Sequence, residues 1–418
     1  MLTHIKNAVI IPAILAGATV WAATESSWHP VIPEMTIAPC RAAPKIDGIL
    51  DDDCWAVAVS TTNFNIVGEA GKVTHRHQAW VTFDQEWLYV AFAVDHPASD
   101  RNPPVYRKHD ETVQRENNVQ VSFDPGTGGN LYYQVLLNPA NVRADFRMTR
   151  EKGRERENWN IPWRSATHAD DAGWKAEIAL PWCLLLTHGE IAQAKLNLIV
   201  VSHLPIRDKQ AVQMGTQREK TSWAPLRTNF HEPEQFGALH GIQDTEFKAP
   251  FLPFIHSAAV QPYHLENGRY FYNIALTAQS LSSRTGMISL AVTDQPEGAP
   301  PVETAWEIPL PGDSEQATTL AVPADTLVKR TAIVRLVDAR NGEEWQRIIV
   351  DETSVLDLFA CYLDRNYYTT EDAARVICRI ALPPEGLPGM SLVAKDADGQ
   401  TLAEAGTLSP EHVLAIPL

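Results

Sequence analysis

His75 and His77 are two residues apart in a stretch that alternates like a strand, so both imidazoles would lie on one face, as some metal sites require. With no third ligand in view, the pair reads as surface histidines. Met148 and His168 form the one combination suited to axial ligation of a haem iron. Trp163 and Trp223 stand in polar or Pro-containing loop sequence. A ring there either packs or offers a flat surface on which the axial C–H face of a sugar can stack. Glycoside hydrolysis needs two carboxylates facing each other across a cleft, and 51 acidic residues single out no pair. The sequence contains no Gly-x-Ser-x-Gly elbow, no Walker loop and no His-Glu-x-x-His helix. No catalytic residue is assigned.

The elements that must position these side chains are strands. Short alternating runs dominate: His77–Phe83, Trp87–Val94, Val119–Phe123, Leu131–Leu137, Trp174–Leu180 and Asn197–Ser202, divided by turn signals such as Asp124-Pro125-Gly126. Val119, Val121 and Phe123 point one way and Asn118, Gln120 and Ser122 the other, which predicts one buried and one polar face. Leu88–Val94 is apolar on both faces and should lie centrally. Arg143–Glu157 mixes Arg with Asp145, Glu151, Glu155 and Glu157 and reads as a solvated hairpin or loop. Trp55, Phe83, Tyr89, Phe92 and Trp174 read as core aromatics.

After Gly241 the texture changes. Asp244–Pro253 resembles a linker, and a second strand set follows from Tyr270 to Val350, with Asn341-Gly342 as a hairpin turn. About 100 residues with roughly seven strands suit an immunoglobulin-like sandwich over residues 250–352. Residues 354–418 supply about five more strands, read as a further, incomplete sandwich, with any catalytic domain expected downstream of Leu418. The fold class is all-β.

Residues 1–23 set the compartment. His4 and Lys6 precede the short apolar run Ala8–Val20, and Val20-Trp21-Ala22-Ala23 offers small residues to a signal peptidase. The run is short for a transmembrane helix, so an extracellular or periplasmic protein without membrane insertion is expected. A net charge of −16 argues against nucleic acid as partner. Among five cysteines, Cys361 and Cys378 are the first candidates for pairing and Cys40 with Cys54 the second; the odd count leaves at least one thiol over.

Within residues 36–243 a set of motifs occurs in a recognisable order. Pro44-Lys45-Ile46-Asp47-Gly48 with Leu50-Asp51-Asp52 and Trp55 comes first, then Ala79–Asp84, Trp87–Phe92 with Asp95, and Asn118–Pro125. Tyr132–Val135 with Asn138, Gly173–Trp182, Thr221-Ser222-Trp223 and Phe236–Leu239 complete it. The series resembles family 9 carbohydrate-binding modules. The resemblance implies a β-sandwich that binds a poly- or oligosaccharide between two aromatics, helped by polar strand residues. On this sequence the aromatic positions fall near Gln114 and Phe230, and the polar helpers on Gln120, Gln134 and Asn229; Trp163 and Trp223 would edge the site. It also implies calcium, for which Asp51, Asp52, Asp84, Asp95 and Asp124 are oxygen ligands of the right hardness. The expected role is that of a binding accessory in a polysaccharide-degrading system. A haem-binding electron-transfer sandwich and a structural or adhesive sandwich array are the alternatives.

Overall fold

The computed structural model describes residues 31–68, 73–150, 155–204, 218–267, 269–324, 330–337, 342, 344–353, 359–365, 370–380, 382, 387 and 389–417. The expected export segment 1–23, residues 151–154 of the Arg-rich stretch, Asn341 of the expected hairpin turn and residues 354–358 lie outside the described residues.

The chain is all-β. Its first strands are β1 (Glu34–Thr36), β2 (Val59–Thr61), β3 (Asn65–Ile66), β4 (His77–Phe83), β5 (Trp87–Val94), β6 (Asn118–Asp124) and β7 (Leu131–Leu137). They are followed by β8 (Arg143–Thr149), β9 (Glu155–Asn158), β10 (Arg164–Ala169), β11 (Trp174–Pro181), β12 (Lys195–His203), β13 (Arg218–Ser222) and β14 (Gly237–His240). One sheet has the order β1-β14-β12-β6-β7-β8-β9, with β13 joined through β12 and β3 through β13; the other is β10-β11-β5-β4-β2. Helix is limited, among the described residues, to short pieces such as Asp53–Val57 and Trp182–Leu185, and none is long and apolar enough to cross a membrane.

Alternation builds the core between these sheets. Val119, Val121 and Phe123 of β6 meet Val81, Val90, Phe92 and Ile178 of the facing sheet. Each such side chain contributes about 1.5–3 kcal/mol by leaving water. The polar face expected on β6 is buried as well: Asn118, Gln120 and Ser122 are covered, because Val113, Ala224, Leu226 and Phe236 roof that side over Tyr132, Leu136, Phe146 and Met148. β5 is central in its sheet. Its second apolar face is explained by Trp87, Tyr89 and Ala91, which share a core with Ile274, Leu290, Val334 and Trp345 of the next strand set.

That set comprises β15 (Pro253–Glu266), β16 (Arg269–Ser280), β17 (Gly286–Pro296), β18 (Val302–Leu310), β19 (Glu315–Pro323), β20 (Arg330–Val337) and β21 (Glu344–Thr353). Sheets β15-β16-β19 and β18-β17-β20-β21 make a seven-stranded sandwich. The long β15, on a segment where the sequence suggested no strand, opens on Pro253, a first position where the missing N–H is tolerated. Inside it, Arg330 Nη1 pairs with Asp294 Oδ2 at 2.6 Å and Arg330 Nε donates to Tyr263 Oη at 2.7 Å, all four partners with Tyr272 being buried. The last strands are β22 (Phe359–Leu363), β23 (Ala373–Ile380), β24 (Leu392–Lys395), β25 (Thr401–Ala405) and β26 (Glu411–Pro417), in sheets β22-β23-β26 and β24-β25. Cys361 and Cys378 are register partners there, free thiols with sulfurs 2.8 Å apart.

The Arg-rich stretch does form a hairpin, β8 pairing antiparallel with β9, but its first strand is not solvated. Residues 143–149 form β8, in which Arg143, Ala144, Asp145 and Phe146 are all buried. Arg143 is satisfied without a surface: its Nε donates to Ser165 Oγ at 2.7 Å, Nη1 to the Trp163 carbonyl at 2.8 Å and to that of Trp345, and Nη2 to the Glu344 carbonyl at 3.2 Å. The last two lie on β21, so one guanidinium joins the two sandwiches. Burial pushes its pKa down to about 10, which still leaves it charged.

Candidate functional site

The expected sugar-binding residues separate into three environments. Trp163 and Trp223 belong to the core between the first two sheets and offer no open ring. The indole N–H of Trp163 donates to Asp145 Oδ2 at 2.9 Å, and the Arg143 guanidinium lies over its ring, 5.3 Å from the centroid. Trp223 lies where a Cβ on Gly237 would come within 2.5 Å of its six-membered ring, so that glycine makes its place. Polar, Pro-containing neighbours suggested exposure for both; a buried carboxylate and a glycine gap overrule that signal. Neither edges a site.

Gln120 and Gln134 are neighbours on the covered face of the large sheet. Gln134 Nε2 donates to Gln120 Oε1 at 2.9 Å, Gln120 Nε2 to Asn118 Oδ1 at 2.8 Å, and Asn118 Nδ2 to the Glu116 carbonyl at 2.7 Å. This amide ladder engages both ends of the Gln120 amide and the donor of Gln134 from within. Gln120 is 2% and Gln134 4% exposed, which places both below the surface rather than in a binding face.

Asn229 and Phe230 do reach the surface, at the rim of the same roof. The backbone here turns around Glu232, whose carboxylate accepts the N–H groups of Arg227 at 2.7 Å, Thr228 at 2.8 Å and Asn229 at 3.3 Å, together with the Thr228 hydroxyl. Burial alone would raise the Glu232 pKa; these donors outweigh it and hold the carboxyl below its usual value. Asn229 Oδ1 accepts the His231 N–H at 2.8 Å and its Nδ2 donates to Thr228 Oγ1 at 2.9 Å, but unlike the buried glutamines this amide is exposed; the Tyr132 hydroxyl meets His231 Nδ1 at 2.8 Å. The result is a fixed loop presenting an exposed amide beside a half-buried phenyl ring, with the Lys220 ammonium 6.0 Å from the ring centroid. An aromatic face and an amide on one loop, beside a cation from β13, can stack on a sugar and bond its hydroxyls. Gln114, at the other family position, has its Oε1 buried and unpartnered.

The acidic residues are used by turns. Asp84 accepts the N–H groups of Glu86 and Trp87 and the Tyr89 hydroxyl at 2.7–2.8 Å. Asp124, fully buried, accepts Gly126, Thr127 and Gly129 N–H groups. Asp51 and Asp95 are exposed, and Asp52 accepts the Lys45 N–H at 3.1 Å. Among the described residues these carboxylates do not converge on one point. The entry motif is likewise a latch. Glu177 of β11 accepts Asp47 N–H at 2.9 Å, Gly48 N–H at 2.7 Å and the Trp55 indole at 2.8 Å. Gly48 has φ +85°, and a Cβ there would lie 2.7 Å from the Thr167 carbonyl carbon, so the turn accepts no other residue without strain. Burial pushes the Glu177 carboxyl up to about 7, against the pull of those three donors.

Two histidine clusters stand apart. His109 Nε2 lies 3.1 Å from Asp145 Oδ2 and 3.4 Å from Asp110 Oδ1. Burial lowers the His109 pKa, but the Asp145 hydrogen bond and charge overcome it and the net direction is upward. His77 is not at the surface: it is 4% exposed, and burial pushes its pKa down to about 3. With His75 it lines a cleft of about 840 Å³ at one end of the five-stranded sheet. Met148 and His168, by contrast, are not brought together: Met148 is buried on β8 of one sheet, and His168 is exposed on β10 of the other.

No family model and no curated protein matches this chain. Among solved structures, the chain is similar to a family 9 carbohydrate-binding module from Caldicellulosiruptor kristjanssonii in complex with cellotriose, at 17% identity and a TM-score of 0.33, covering 52% of this chain and 99% of that one. The same module in complex with glucose matches at 17% identity and a TM-score of 0.33, over 50% and 97%. A β-glucuronidase 2 from Bacteroides uniformis matches at 9% identity and a TM-score of 0.21, over 69% of this chain and 28% of that chain.

Proposed function

We propose that this chain is an exported carbohydrate-binding protein whose ligand is a poly- or oligosaccharide, contacted at the Asn229–Phe230 loop. The observation that carries the reading is the presentation of an amide and an aromatic ring by a loop that Glu232 fixes from within. Preorganisation matters because a loop already in its bound shape loses little entropy on binding. The ordered motifs of residues 36–243 support the same reading from the sequence, and the apolar segment Ala8–Val20 supports export. In this proposal the module serves a polysaccharide-degrading system, with hydrolysis left to a separate or downstream domain. The separation of Met148 from His168 favours it over a haem carrier.

Calorimetry of the full chain against soluble oligosaccharides tests the site. Phe230→Ala and Asn229→Ala should each weaken binding, by about tenfold for loss of the ring, an effect worth roughly 1.4 kcal/mol. Binding that both variants retain places the site elsewhere. A broad glycan array with no binding at all returns the chain to the structural or adhesive reading.

A further inference from the structure

At the open end of the first sandwich, the β4–β5 hairpin brings three histidines together; their ring nitrogens are not all within 4.8 Å of one another, and the His77 ring meets Phe64 edge-on, with centroids 5.6 Å apart. The β4–β5 hairpin pairs Phe83 with Leu88 and His77 with Val94, and the Asp95 N–H continues the ladder to the Arg76 carbonyl at 2.9 Å. Two residues beyond His77–Val94, the same register sets His75 opposite His96, and their ring centroids are 4.8 Å apart. Strand parity puts His77, with Ala79, Val81 and Phe83, on the side that faces the sandwich interior; His75 and His96 lie just beyond the strand ends, where the His96 N–H turns back to the Val94 carbonyl at 3.0 Å.

Their hydrogen-bonding states are unusual. His77 is 4% exposed and both its ring nitrogens lack a partner; His75 Nε2 and His96 Nδ1 are also buried and unpartnered. Buried polar atoms are ordinarily paired, because leaving one unpaired costs about 1–3 kcal/mol. Four such nitrogens in one cluster are lone pairs and N–H groups awaiting something. The remaining nitrogen of His96 shows what. Its Nε2 lies 3.0 Å from the His203 carbonyl, which can only accept, so Nε2 carries the proton and Nδ1 presents its lone pair. A metal-ligating histidine commonly donates its other N–H to a backbone carbonyl, which fixes tautomer and ring orientation.

We propose that His75, His77 and His96 form a three-histidine site for one divalent transition-metal ion of the zinc–copper class, with a fourth position open to the adjoining cleft. Neutral imidazoles suit those ions, and a sparing set of three nitrogen ligands leaves room for water or an incoming oxygen donor. Asp95 and Asp170 line the cleft and offset the charges of Arg76 and Lys175 there. Loading requires the three rings to rotate until their donors stand about 2.0–2.1 Å from a common ion. The His109–Asp110–Asp145 group makes the contrast. Its donor atoms already lie within 4.8 Å of one another, but Asp145 is engaged by His109, the Trp163 indole and the Ile161 N–H, so those atoms are spent on each other.

The test uses the full chain stripped with chelator and titrated with zinc chloride by calorimetry, and with cobalt chloride by visible absorption. One equivalent of zinc should bind, and cobalt should give the intense d–d bands of a four- or five-coordinate nitrogen site. His75→Ala, at a half-buried position, should fold with an unchanged circular dichroism spectrum yet bind zinc at least about tenfold more weakly. His96→Gln should do the same, and His109→Ala should leave the titration unchanged. Zinc should raise the melting temperature of the wild type and not that of His75→Ala. No heat and no cobalt bands at micromolar metal, undiminished binding in folded His75→Ala, or loss of binding in His109→Ala would each overturn the site.

Discussion

The amide ladder and the histidine cluster are both buried polar groups in one sandwich, and they differ in whether their needs are met. Asn118, Gln120 and Gln134 hand hydrogen bonds along a chain that ends on a backbone carbonyl. His75, His77 and His96 leave four nitrogens idle. A satisfied network specifies a unique packing and has nothing left for a ligand. An unsatisfied one costs stability and keeps its valence. Gln120, Gln134, Trp163 and Trp223, which looked like binding groups in the sequence, are buried in the structure, and so is His77 of the pair that looked like surface histidines.

The sharpest way to break this comparison lies in the most completely satisfied cluster, the buried Arg330–Asp294 pair. Asp294→Ala removes the carboxylate that pairs with the buried Arg330 guanidinium and should cost about 3–5 kcal/mol. Denaturant unfolding reads it; a loss below 1 kcal/mol would mean that the other partners of Arg330, Tyr263 among them, suffice to hold the cation.

Next comes the ladder itself. Gln120→Ala strands the donor of Gln134 and the acceptor of Asn118 and should cost about 1–3 kcal/mol. Replacing both glutamines with methionine removes both polar groups and should cost less than the single truncation. If the double change costs more, the ladder contributes beyond mutual satisfaction.

The histidine cluster should behave in the opposite way. His77→Leu deletes two unpaired nitrogens and should leave metal-free stability within about 1 kcal/mol of wild type, or raise it. A loss above 3 kcal/mol would show that these nitrogens have partners in solution, and the comparison would fall.

The smallest effect is a pH dependence. The folded-state pKa of His109 is raised, so folding is favoured by its protonation. That contribution is complete below the unfolded value of about 6.5 and fades as pH rises through the folded value. Asp145→Asn should flatten this part of the stability profile, as measured by urea midpoints between pH 5 and about 8.5. An unchanged slope would assign the dependence to another group.

Much of this was legible in the sequence, and the failures have physical causes. Alternation in β6, β7 and β11 located the core between the first two sheets, and the two-sided apolar run of β5 marked the centre of its sheet. Alternation does not tell what lies on top, so the polar face of β6 passed for a solvated one. Arg143 and Asp145 read as surface because a buried charge is recognisable only from its partners, which come from residues far away in the chain. Trp163 and Trp223 show the same limit from the apolar side. His96 was within reach: the turn after Phe83 sets residue pairs whose numbers sum to a constant, and counting along it places His96 opposite His75. The Asn229–Phe230 loop was marked by resemblance alone; Glu232, which shapes it, carried no signal.

The guanidinium of Arg143, reaching from the first sandwich to two carbonyls of the second, has a mechanical consequence. Together with Trp87 against Trp345, and Arg164 lying over both rings, it ties the two sandwiches at a point where a flexible tether would leave them swivelling. Torque applied to one is therefore passed to the other instead of being dissipated in a hinge. If the Asn229–Phe230 loop binds as proposed, the second sandwich is held at a set inclination to the ligand.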